Sequence, residues 1–371
     1  MIKDSFRLTT IVRDASNTGG GIANVARPLH AAMVARGLHA AFVSGNGNSG
    51  IKLDSFNAGW YGGGLRALPE TLMQGIVHIH GIWTIFEAQA FKEARRRRAK
   101  IVMSPHGALE PWAFNHKPLK KRLAWWLYQR RIFQQADLLI VNSEKERQRL
   151  RDLGLRPQIA TIPNGIDLDG FSICDAPQNR ERIVLFLSRL DPVKGLPDLI
   201  KAWSNITNHK GYSLHICGHG NAAYVDQIKK NIAETNLGNV KLLPPVFGPD
   251  RWRVFLQASI YVLPSYSENF GITVAEALLA GLPVITTRAT PWACLENESL
   301  GWIVNNDTTQ LRTALETAMA LEPAKLDDMR LRAQAYAQQH FDWPKIAQCY
   351  TKAYDWVLHP SDKIPSFLNL G

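Results

Sequence analysis

Short apolar runs alternate with helical stretches along the chain, and this alternation limits the fold more than any other feature. The first half contains five candidate strands: Phe6–Arg13, Ala40–Ser44, Gly75–Gly81, Lys100–Gly107 and Ala136–Ser143. Between the first two, Ile22–Arg36 has the apolar spacing of a helix and stops before Gly37. Strands that alternate with helices predict a parallel sheet with helices on its faces.

The same pattern restarts after a polar linker at Ser172–Glu181. The second half contains five more candidate strands: Arg182–Leu190, Tyr212–Gly220, Asn239–Pro245, Ala258–Ser265 and Leu282–Thr287. We therefore predict an α/β protein of two doubly wound, Rossmann-like domains, residues 1–172 and 173–344. Such sheets bind ligands beyond the carboxyl ends of their strands, so we expect a site in a cleft between the domains.

The last segment of the chain has helical spacing that Pro344 is expected to break. Its apolar residues fall on one stripe: Trp343, Ile346, Tyr350, Tyr354 and Val357. We predict that a terminal helix, about residues 345–371, packs back on the first domain.

Length and composition agree with two globular domains. The chain has 371 residues, of which 46% are hydrophobic and 20% charged. No apolar run approaches the roughly 20 residues that span a bilayer. Lys3, Asp4 and Arg7 surround too brief an apolar run for a signal peptide. The four cysteines are scattered, which argues against a disulfide framework or a zinc site and indicates a reducing cytoplasm.

The excess positive charge lies in the first half. Residues 1–172 contain 24 Lys and Arg against 13 Asp and Glu, a net of +11, whereas residues 173–371 contain 19 of each. This asymmetry indicates that the first half meets an anionic partner. Charge alone leaves nucleic acid, a phosphorylated substrate and an anionic membrane open.

The stretch SENFGITVAE contains two carboxylates, Glu268 and Glu276, around a mostly apolar segment. A charged side chain in apolar surroundings costs free energy unless it meets a partner. We expect a helix to start near Gly271 and to stop at Gly281. Glu268 then lies in the loop before this helix and Glu276 in its early turns, although either glutamate alone is also explained as a solvated residue or as an acid at a helix start.

The amides of Phe270, Gly271 and Ile272 lie at the start of the predicted helix, where they have no intrahelical partners. Such amides form an anion site. A phosphate on these amides would have one carboxylate on each side to receive hydroxyls. A nucleotide-sugar matches this layout, because its diphosphate lies between the ribose and the transferred sugar.

Several motifs in the chain resemble those of one enzyme family, in the same order. PSYSENFGITVAEALLAGLPVITT contains Glu-x7-Glu, and FLSRLDPVKGLPDLIKAW contains Arg-x4-Lys-Gly; the other three are SPHGALEPWA, IPNGIDLDGF and NTGGGIANVARPL. Together they resemble the family-four glycosyltransferases, which are retaining enzymes of the GT-B fold. TPWACLENESLGWIV is similar to members that act in bacterial surface polysaccharide synthesis.

The resemblance implies a role for each matching residue in the second half. Glu276 aligns with the glutamate that receives the ribose hydroxyls, and Glu268 with the one that contacts the transferred sugar. Arg189 and Lys194 align with the pair that holds the diphosphate, where fixed cations stabilise the charge that the leaving nucleotide gains. Asn269 stands where glycine is common in the family and is predicted to adjust the sugar pocket.

Two strand-end histidines are the candidates in the first half. His106 aligns with a family histidine near the transferred sugar, which makes it a catalytic candidate. His80 ends the neighbouring strand and is predicted on the acceptor side. A single histidine at a strand end is more often structural, and the case here depends on the pair, each followed by glycine.

Glycines supply the remaining candidates. Gly19 and Gly20 are predicted to let the backbone approach the donor phosphates, and Gly21 the acceptor. Gly218, in a second glycine element, is a further donor-binding candidate. An ordinary strand-to-helix turn explains either glycine element equally well.

Two other motifs suggest chemistry that we do not predict. Asp167 and Asp169 have the Asp-x-Asp form that binds metal in another glycosyltransferase fold, but they follow IPNGI and are interpreted as structural. The glycine cluster at residues 19–24, GGGIAN, hints at dinucleotide binding but lacks the G-x-G-x-x-G form, which argues against a nicotinamide enzyme. We expect neither a metal nor a cofactor.

The segment KPLKKRLAWWLYQRR, residues 117–131, has helical spacing. Leu119, Leu123, Trp126 and Leu127 fall on one side, and Lys120, Lys121, Arg122, Arg130 and Arg131 supply the charge. A basic helix with tryptophans suits an anionic membrane surface. The alternative is a helix packed on its own sheet with a solvated basic face.

The function implied by these features is a retaining, metal-independent glycosyl transfer. The donor would be a UDP- or GDP-linked sugar, and the acceptor a lipid-pyrophosphate-linked or oligosaccharide glycan in polysaccharide or lipopolysaccharide synthesis. The protein would be cytoplasmic, at the inner face of the plasma membrane. The alternatives are a sugar-nucleotide epimerase of the same fold and a basic nucleic-acid-binding protein, for which the sequence has no motif.

Overall fold

The computed structural model describes residues 7–15, 21–45, 51–54, 59–61, 64–115, 118–172, 180–360 and 365–369. These residues form fifteen strands: β1 Arg7–Val12, β2 His39–Gly45, β3 Ile51–Asp54, β4 Gly59–Tyr61, β5 Ile76–His80, β6 Lys100–Ser104, β7 Leu138–Val141, β8 Ile159–Thr161, β9 Ile183–Leu187, β10 Ser213–Cys217, β11 Val240–Leu243, β12 Ile260–Leu263, β13 Val284–Thr287, β14 Gly301–Val304 and β15 Leu368–Asn369.

The same residues form fourteen α-helices: α1 Ala23–Ala35, α2 Ile85–Arg96, α3 Pro111–Asn115, α4 Pro118–Ala124, α5 Arg130–Gln134, α6 Glu144–Asp152, α7 Leu196–Ser204, α8 Ala222–Glu234, α9 Asp250–Gln257, α10 Ile272–Leu279, α11 Cys294–Asn297, α12 Thr308–Met319, α13 Pro323–His340 and α14 Trp343–Leu358. A π-helical turn, Trp125–Gln129, joins α4 to α5. No helix in the described part of the chain is long and apolar enough to cross a membrane.

The chain divides into two compact units, residues 1–165 with 343–371, and residues 166–342. The first boundary therefore falls before the predicted linker at Ser172–Glu181. The boundary lies within the motif IPNGI, because Gly165 is the last residue of this stretch in the first unit and Ile166 begins the second unit. Gly165 packs tightly in the first unit, where a Cβ would lie 2.3 Å from Trp343 Cδ2. The polar composition of the later segment had suggested the linker, but the end of the packed core sets the boundary.

The first unit contains a nine-stranded sheet in the order β15-β8-β7-β6-β5-β1-β2-β3-β4. Six strands pair in parallel, and β3, β4 and β15 add antiparallel edges. The parallel strands are buried, which explains why they appear in the sequence as continuous apolar runs. The strand order reverses at β1 and β5, so the loops after these two strands flank the switch point of the sheet.

The C-terminal helix α14 belongs to the first unit. The apolar side that the sequence predicted for this helix is buried: Trp343, Ile346, Tyr350, Tyr354 and Val357. The hydroxyl of Tyr354 lies 2.7 Å from His78 Nδ1 on β5. Pro344 does not break this helix, contrary to the sequence interpretation. It is the second residue of α14, where the missing amide hydrogen would have had no intrahelical partner.

The second unit contains a six-stranded parallel sheet in the order β11-β10-β9-β12-β13-β14. The five predicted strands of this half are confirmed as β9 to β13. The chain proceeds outward from β9 in one direction and then from β12 in the other. The crevice at the carboxyl ends of β9 and β12 is therefore the expected ligand position for a doubly wound sheet.

Candidate active site

Lys194 and Glu268 form a buried ion pair at the switch point of the second sheet. Lys194 follows β9 and Glu268 follows β12, so the two strand ends bring together residues 74 positions apart in sequence. Ser265 Oγ donates a second hydrogen bond, of 2.8 Å, to the same Glu268 oxygen. Two of the predicted catalytic residues are thus in direct contact.

Gly195 allows this contact. Its φ is +66°, and a Cβ at this position would lie 2.1 Å from the carbonyl oxygen of Pro264, at the end of β12. Just before it, the Asp191 side chain accepts a 3.0 Å hydrogen bond from the Val193 amide and fixes the turn that carries Lys194. Glycine is required here because the backbone itself would obstruct any side chain.

Arg189 is placed differently from Lys194. Its side chain is 59% exposed, and its Nη2 lies 3.9 Å from Asp191 Oδ2. At that distance and exposure the pair contributes little to stability. The structure leaves the guanidinium of Arg189 at the surface beside the strand end, whereas it buries the ammonium of Lys194.

Glu276 accepts a 2.9 Å hydrogen bond from Arg251 Nε. Burial raises the pKa of the Glu276 carboxyl to about 7, although the Arg251 ion pair opposes that shift. The carboxyl therefore titrates near neutral pH. Sequence reasoning missed Arg251, because no local motif links α9 to α10. The only signal was Glu276 itself, since an acid on an apolar helix needs a positively charged partner.

Arg251 is held by more than Glu276. Its Nη2 donates to the Asp167 carbonyl oxygen at 2.8 Å, and its guanidinium lies 4.8 Å from the centre of the Trp252 ring. Trp252 Nε1 in turn donates to the Asp169 carbonyl oxygen at 3.1 Å. The backbone of the Asp-x-Asp segment thus positions the arginine that contacts Glu276.

The phenol of Tyr261 lies near both glutamates. Burial raises its pKa well above the ordinary value, and the Glu268 and Glu276 carboxylates raise it further. Its hydroxyl lies 2.7 Å from Thr273 Oγ1 in the first turn of α10. This tyrosine is therefore close enough to feel both carboxylates and contacts the first turn of α10.

Helix α10 starts as predicted, with Gly271 as its N-cap and Ile272 as its first residue. Gly271 has a φ of +76°, which only glycine adopts without strain. Phe270 is buried, and its carbonyl oxygen accepts a 2.5 Å hydrogen bond from Trp292 Nε1. Asn269, which precedes Phe270 in the loop, is half-buried. These contacts fix the start of α10, whose first amides have no intrahelical partners.

Gly218 follows β10, and a Cβ there would lie 1.9 Å from the Ser188 carbonyl oxygen. This approach of neighbouring strand ends is enough to require glycine. Its predicted role in donor binding stays a prediction.

In the first unit, His80 and His106 contact each other at the ends of β5 and β6. His80 Nδ1 lies 2.9 Å from His106 Nε2, and the rings are stacked with centroids 5.2 Å apart. Burial lowers the pKa of His106 to about 4 and that of His80 well below its ordinary value. Both rings are therefore neutral near pH 7, and in this hydrogen bond the ring N–H of one histidine donates to the unprotonated ring nitrogen of the other.

Glu146 supports this pair from α6, and sequence reasoning did not select it. Its Oε1 accepts from the Gly107 amide at 2.5 Å and its Oε2 from the Asn142 amide at 3.1 Å, so that it joins the ends of β6 and β7. The only local signal is Ser143, which caps α6 by accepting from the Glu146 amide. His106, next to this clamp, has a φ of +51°, an uncommon conformation for a residue other than glycine.

The glycine cluster is only partly described. Gly19 and Gly20 lie outside the described residues. Gly21 is exposed, and a Cβ there would meet none of the described residues within 4 Å, so their packing does not demand glycine at this position.

The Asp-x-Asp segment forms a local turn, in which Asp167 Oδ1 accepts from the Asp169 amide at 3.1 Å. Among the residues that the structure describes, no group of three His, Cys, Asp or Glu side chains is arranged to hold a metal ion.

Two family models match the chain in succession. The model described as Glycosyltransferase Family 4 matches residues 19–169, and the model described as Glycosyl transferases group 1 matches residues 175–340. The two matches therefore cover most of both units.

Individual proteins show the same similarity. The D-inositol 3-phosphate glycosyltransferase of Mycolicibacterium smegmatis is 27% identical over 61% of this chain and 54% of its own length. The GDP-mannose:cellobiosyl-diphosphopolyprenol alpha-mannosyltransferase of Xanthomonas campestris is 26% identical over 76% of this chain and 74% of its own. The chain spans about half the length of the inositol-phosphate relatives that it matches.

The fold has counterparts among solved structures. Sucrose-phosphate synthase from Thermosynechococcus elongatus superposes with a TM-score of 0.77 at 21% identity, over 96% of this chain and 100% of that one. At this identity the likeness concerns the fold alone. Since the family models and the fold agree, the chain belongs to the family-four glycosyltransferases and has their GT-B fold of two Rossmann-like domains.

Proposed function

We propose that this protein transfers a sugar from a nucleotide-sugar to a glycan acceptor with retention of configuration and without a metal ion. The observation that carries the proposal is the pairing of each candidate donor glutamate with a cation, Glu268 with Lys194 and Glu276 with Arg251. One glutamate precedes the start of α10 and the other follows it. Retention is what the family resemblance implies.

The donor diphosphate would bind to the first amides of α10. Lys194 and Arg189 would add positive charge, and they stabilise the leaving diphosphate most when its charge is greatest, in the transition state. Arg189 is exposed and therefore free to turn toward a bound diphosphate. Together these amides and cations would supply the stabilisation for which other enzymes use a metal ion.

The carboxylates on either side would each receive hydroxyls. Glu276 is proposed to bind the ribose and Glu268 the transferred sugar. The neutral His106–His80 pair of the first unit is proposed to contact the transferred sugar and the acceptor, with one ring nitrogen as donor and another as acceptor. Glu146 would hold both strand ends in place.

The acceptor is proposed to be a lipid-pyrophosphate-linked glycan in polysaccharide or lipopolysaccharide synthesis, and the donor a UDP- or GDP-linked sugar. Support comes from the Xanthomonas relative, whose name states a GDP-mannose donor and a diphosphopolyprenol acceptor. The protein would work in the cytoplasm at the inner face of the membrane.

An exposed surface of the first unit supports membrane contact. The apolar side of the segment from α4 to α5 faces solvent: Leu119, Leu123, Trp126 and Leu127 are all exposed. Trp126 is 84% exposed and Leu119 81%. We call these four residues the apolar stripe.

The charges around the apolar stripe complement an anionic surface. Residues 111–136 contain six Lys and Arg and no Asp or Glu. Lys120, Arg122, Arg130 and Arg131 are exposed. Lys121 differs from the sequence interpretation, because it is half-buried, with its Nζ bonded to the Ala113 carbonyl oxygen and 5.8 Å from the centre of the Trp83 ring. Exposed apolar side chains amid cations are typical of an interfacial helix.

The division of roles between the glutamates tests the proposal. Glu276→Ala should weaken the binding of the free nucleoside diphosphate, measured by calorimetry, because the ribose loses its acceptor. Glu268→Ala should leave that affinity nearly unchanged and lower sugar transfer. Glu234→Ala, at an exposed position of α8, is the matched control. Equal loss of nucleotide affinity in both glutamate variants would contradict the assignment.

An assay with donor and acceptor separates the proposed activity from epimerisation. A transferase lengthens the glycan, whereas an epimerase changes the nucleotide-sugar without a glycan product. Activity should persist in a chelator. Complete loss on chelation, reversed by Mg²⁺ or Mn²⁺, would contradict the metal-independent mechanism.

A further inference from the structure

A cavity of about 420 Å³ opens on the first unit between α5 and the turn after α6. Six residues line it: Arg130, Gln134, Arg151, Gly154, Leu155 and Arg156. Three of these carry a guanidinium group and none carries a carboxylate. Neither the histidine pair nor any residue proposed to bind the donor is among these six.

The guanidinium of Arg151 is only partly satisfied. Its Nη1 donates to the carbonyl oxygens of Leu155 and Pro157, both at 2.8 Å. Its Nε and Nη2 are buried and have no hydrogen-bond partner in the described structure. Buried donors are ordinarily paired, since an unmade hydrogen bond costs about 1–3 kcal/mol. Burial lowers the pKa of Arg151, and an anion in the cavity would relieve that cost.

The walls of the cavity are fixed to each other. Gln134 Nε2 donates to the Gly154 carbonyl oxygen at 2.7 Å, and its Oε1 accepts from the Arg156 amide at 3.2 Å. Gly154 has a φ of +72°, and a Cβ there would lie 3.5 Å from Arg130 Nη2. The turn after α6 therefore holds the backbone of Arg156 against Gln134 and places Gly154 next to the side chain of Arg130.

The cavity is continuous in sequence with the apolar stripe. Arg130 is the first residue of α5, and the π-helical turn directly before it carries Trp126 and Leu127. A π-helical turn is rare and often marks a functional site. A ligand with a phosphate group and an apolar tail would meet both features at once.

We propose that this cavity binds the phosphate group of an anionic phospholipid whose acyl chains lie against the apolar stripe. This inference rests on the membrane contact in the proposed function and adds a specific headgroup site to it. Arginine suits a phosphate because its planar fork donates two parallel hydrogen bonds. The three arginines line one cavity, so a phosphate bound in it would meet more than one guanidinium group.

The test compares two variants that remove the same charge. Arg130→Gln/Arg156→Gln changes two exposed walls and leaves Arg151 and its carbonyl contacts intact. Arg95→Gln/Arg98→Gln, at exposed positions of the same unit, is the matched control. Binding is measured to phosphatidylcholine vesicles that contain phosphatidic acid, and to vesicles of equal surface charge that contain a fatty-acid carboxylate.

The cavity variant should bind the phosphatidic acid vesicles about thirtyfold more weakly than the control variant does, since it loses two basic residues at roughly one kcal/mol each. On the carboxylate vesicles the cavity variant should bind only about fivefold more weakly than the control variant, because Arg130 beside the apolar stripe contributes general attraction of about 1 kcal/mol. Equal weakening on both vesicles would show general charge attraction and overturn the site. Unchanged binding of the cavity variant to phosphatidic acid vesicles would overturn it as well.

Glycerol 3-phosphate separates a lipid from a soluble phosphate ester. Added alone, it should raise the unfolding temperature no more than sodium chloride of equal ionic strength. A rise in the natural protein that the cavity variant lacks would assign the cavity to a soluble ligand and overturn the lipid. If the natural protein binds neither vesicle, membrane contact fails as a whole, whereas nucleotide binding in the second unit is tested separately.

Discussion

Arg251 Nε lies 2.9 Å from Glu276 Oε1, so the proposed ribose acceptor is already occupied by a cation before a ligand arrives. The arginine keeps the buried carboxyl partly ionised, and burial holds its pKa at about 7. A ribose hydroxyl would have to donate to this carboxylate beside the guanidinium. Because burial raises the pKa of this carboxyl to about 7 against the opposing effect of Arg251, nucleotide binding should be sensitive to pH.

Nucleotide-sugar affinity should increase as the pH rises through about 7. Below the folded pKa the Glu276 carboxyl is protonated, and a neutral acceptor forms weaker hydrogen bonds than a carboxylate does. The expected gain between about pH 6 and pH 8 is roughly fivefold, from about 1 kcal/mol of hydrogen-bond strength. Calorimetry with the nucleotide-sugar measures it. Glu276→Gln should remove the pH dependence, and an unchanged profile in that variant would contradict the prediction.

Arg251→Met should shift this profile to higher pH. Arg251 opposes the rise in the Glu276 pKa that burial causes, so its removal raises that pKa further. Above neutral pH the variant should also lose about 2 kcal/mol of unfolding free energy, because a buried carboxylate loses its partner. Arg251→Met/Glu276→Gln should recover part of that loss. If the double variant is less stable than the single one, the Trp252 and Asp167 contacts of Arg251 matter more than the ion pair.

Gly195→Ala should destabilise the second unit and displace Lys194. A Cβ at Gly195 would lie 2.1 Å from the Pro264 carbonyl oxygen, in addition to the strain of a positive φ. Gly248→Ala is the control, since Gly248 has a φ of +55° and a Cβ there meets nothing within 4 Å. Both changes should cost about 1 kcal/mol for the left-handed backbone, and Gly195→Ala at least as much again. Equal denaturation midpoints for the two variants would show that the turn yields without cost.

The sequence predicted the parts of this structure that depend on local patterns. Buried parallel strands such as β5, β7 and β9 appear as continuous apolar runs, and the start of α10 was set by Gly271. Strands β3, β4, β8, β14 and β15 were not predicted. They are short or lie at the edges of their sheets, so few residues carry the pattern of burial on which such a prediction depends.

Contacts between distant segments could not be read in the same way. Arg251 reaches Glu276 from another helix, and Glu146 bonds to the Gly107 amide across two strands. The adjacency of His80 and His106 was predictable, because both end strands of one parallel sheet. Their direct hydrogen bond was not predictable. His106 has a positive φ, and a histidine in the sequence does not indicate this conformation.

The first unit should lose stability as the pH falls below about 6.5. His78, His80 and His106 are buried and have lowered pKa values, so the unfolded chain binds protons there before the folded one does. Stability from this source is full above the unfolded pKa and declines as the pH falls toward the folded values. With a folded pKa of about 4, His106 alone should cost on the order of 2 kcal/mol by about pH 5.

Hydrogen exchange at the amides of β5 and β6 measures this local stability. His106→Asn is the matched variant, because asparagine also tolerates a positive φ. It should reduce the pH dependence of exchange protection between about pH 6.5 and pH 5. An identical dependence in the variant would show that His106 is protonated in the folded state.

The apolar stripe provides the last prediction. Leu123→Gln/Trp126→Gln should weaken binding to anionic vesicles by about tenfold or more, because each buried apolar side chain is worth about 1.5–3 kcal/mol. Leu331→Gln is the control, since Leu331 is an exposed leucine on a helix of the other unit. Both proteins should unfold at the temperature of the natural chain, as the changed residues are exposed.

Salt should weaken the binding of the natural protein, because the flanking cations are screened. Nucleotide affinity should be the same in both variants, while transfer to a lipid-linked acceptor should fall more in the stripe variant than transfer to a soluble analogue. Equal co-sedimentation of the stripe variant and the Leu331 control with anionic vesicles would show that these side chains face only water.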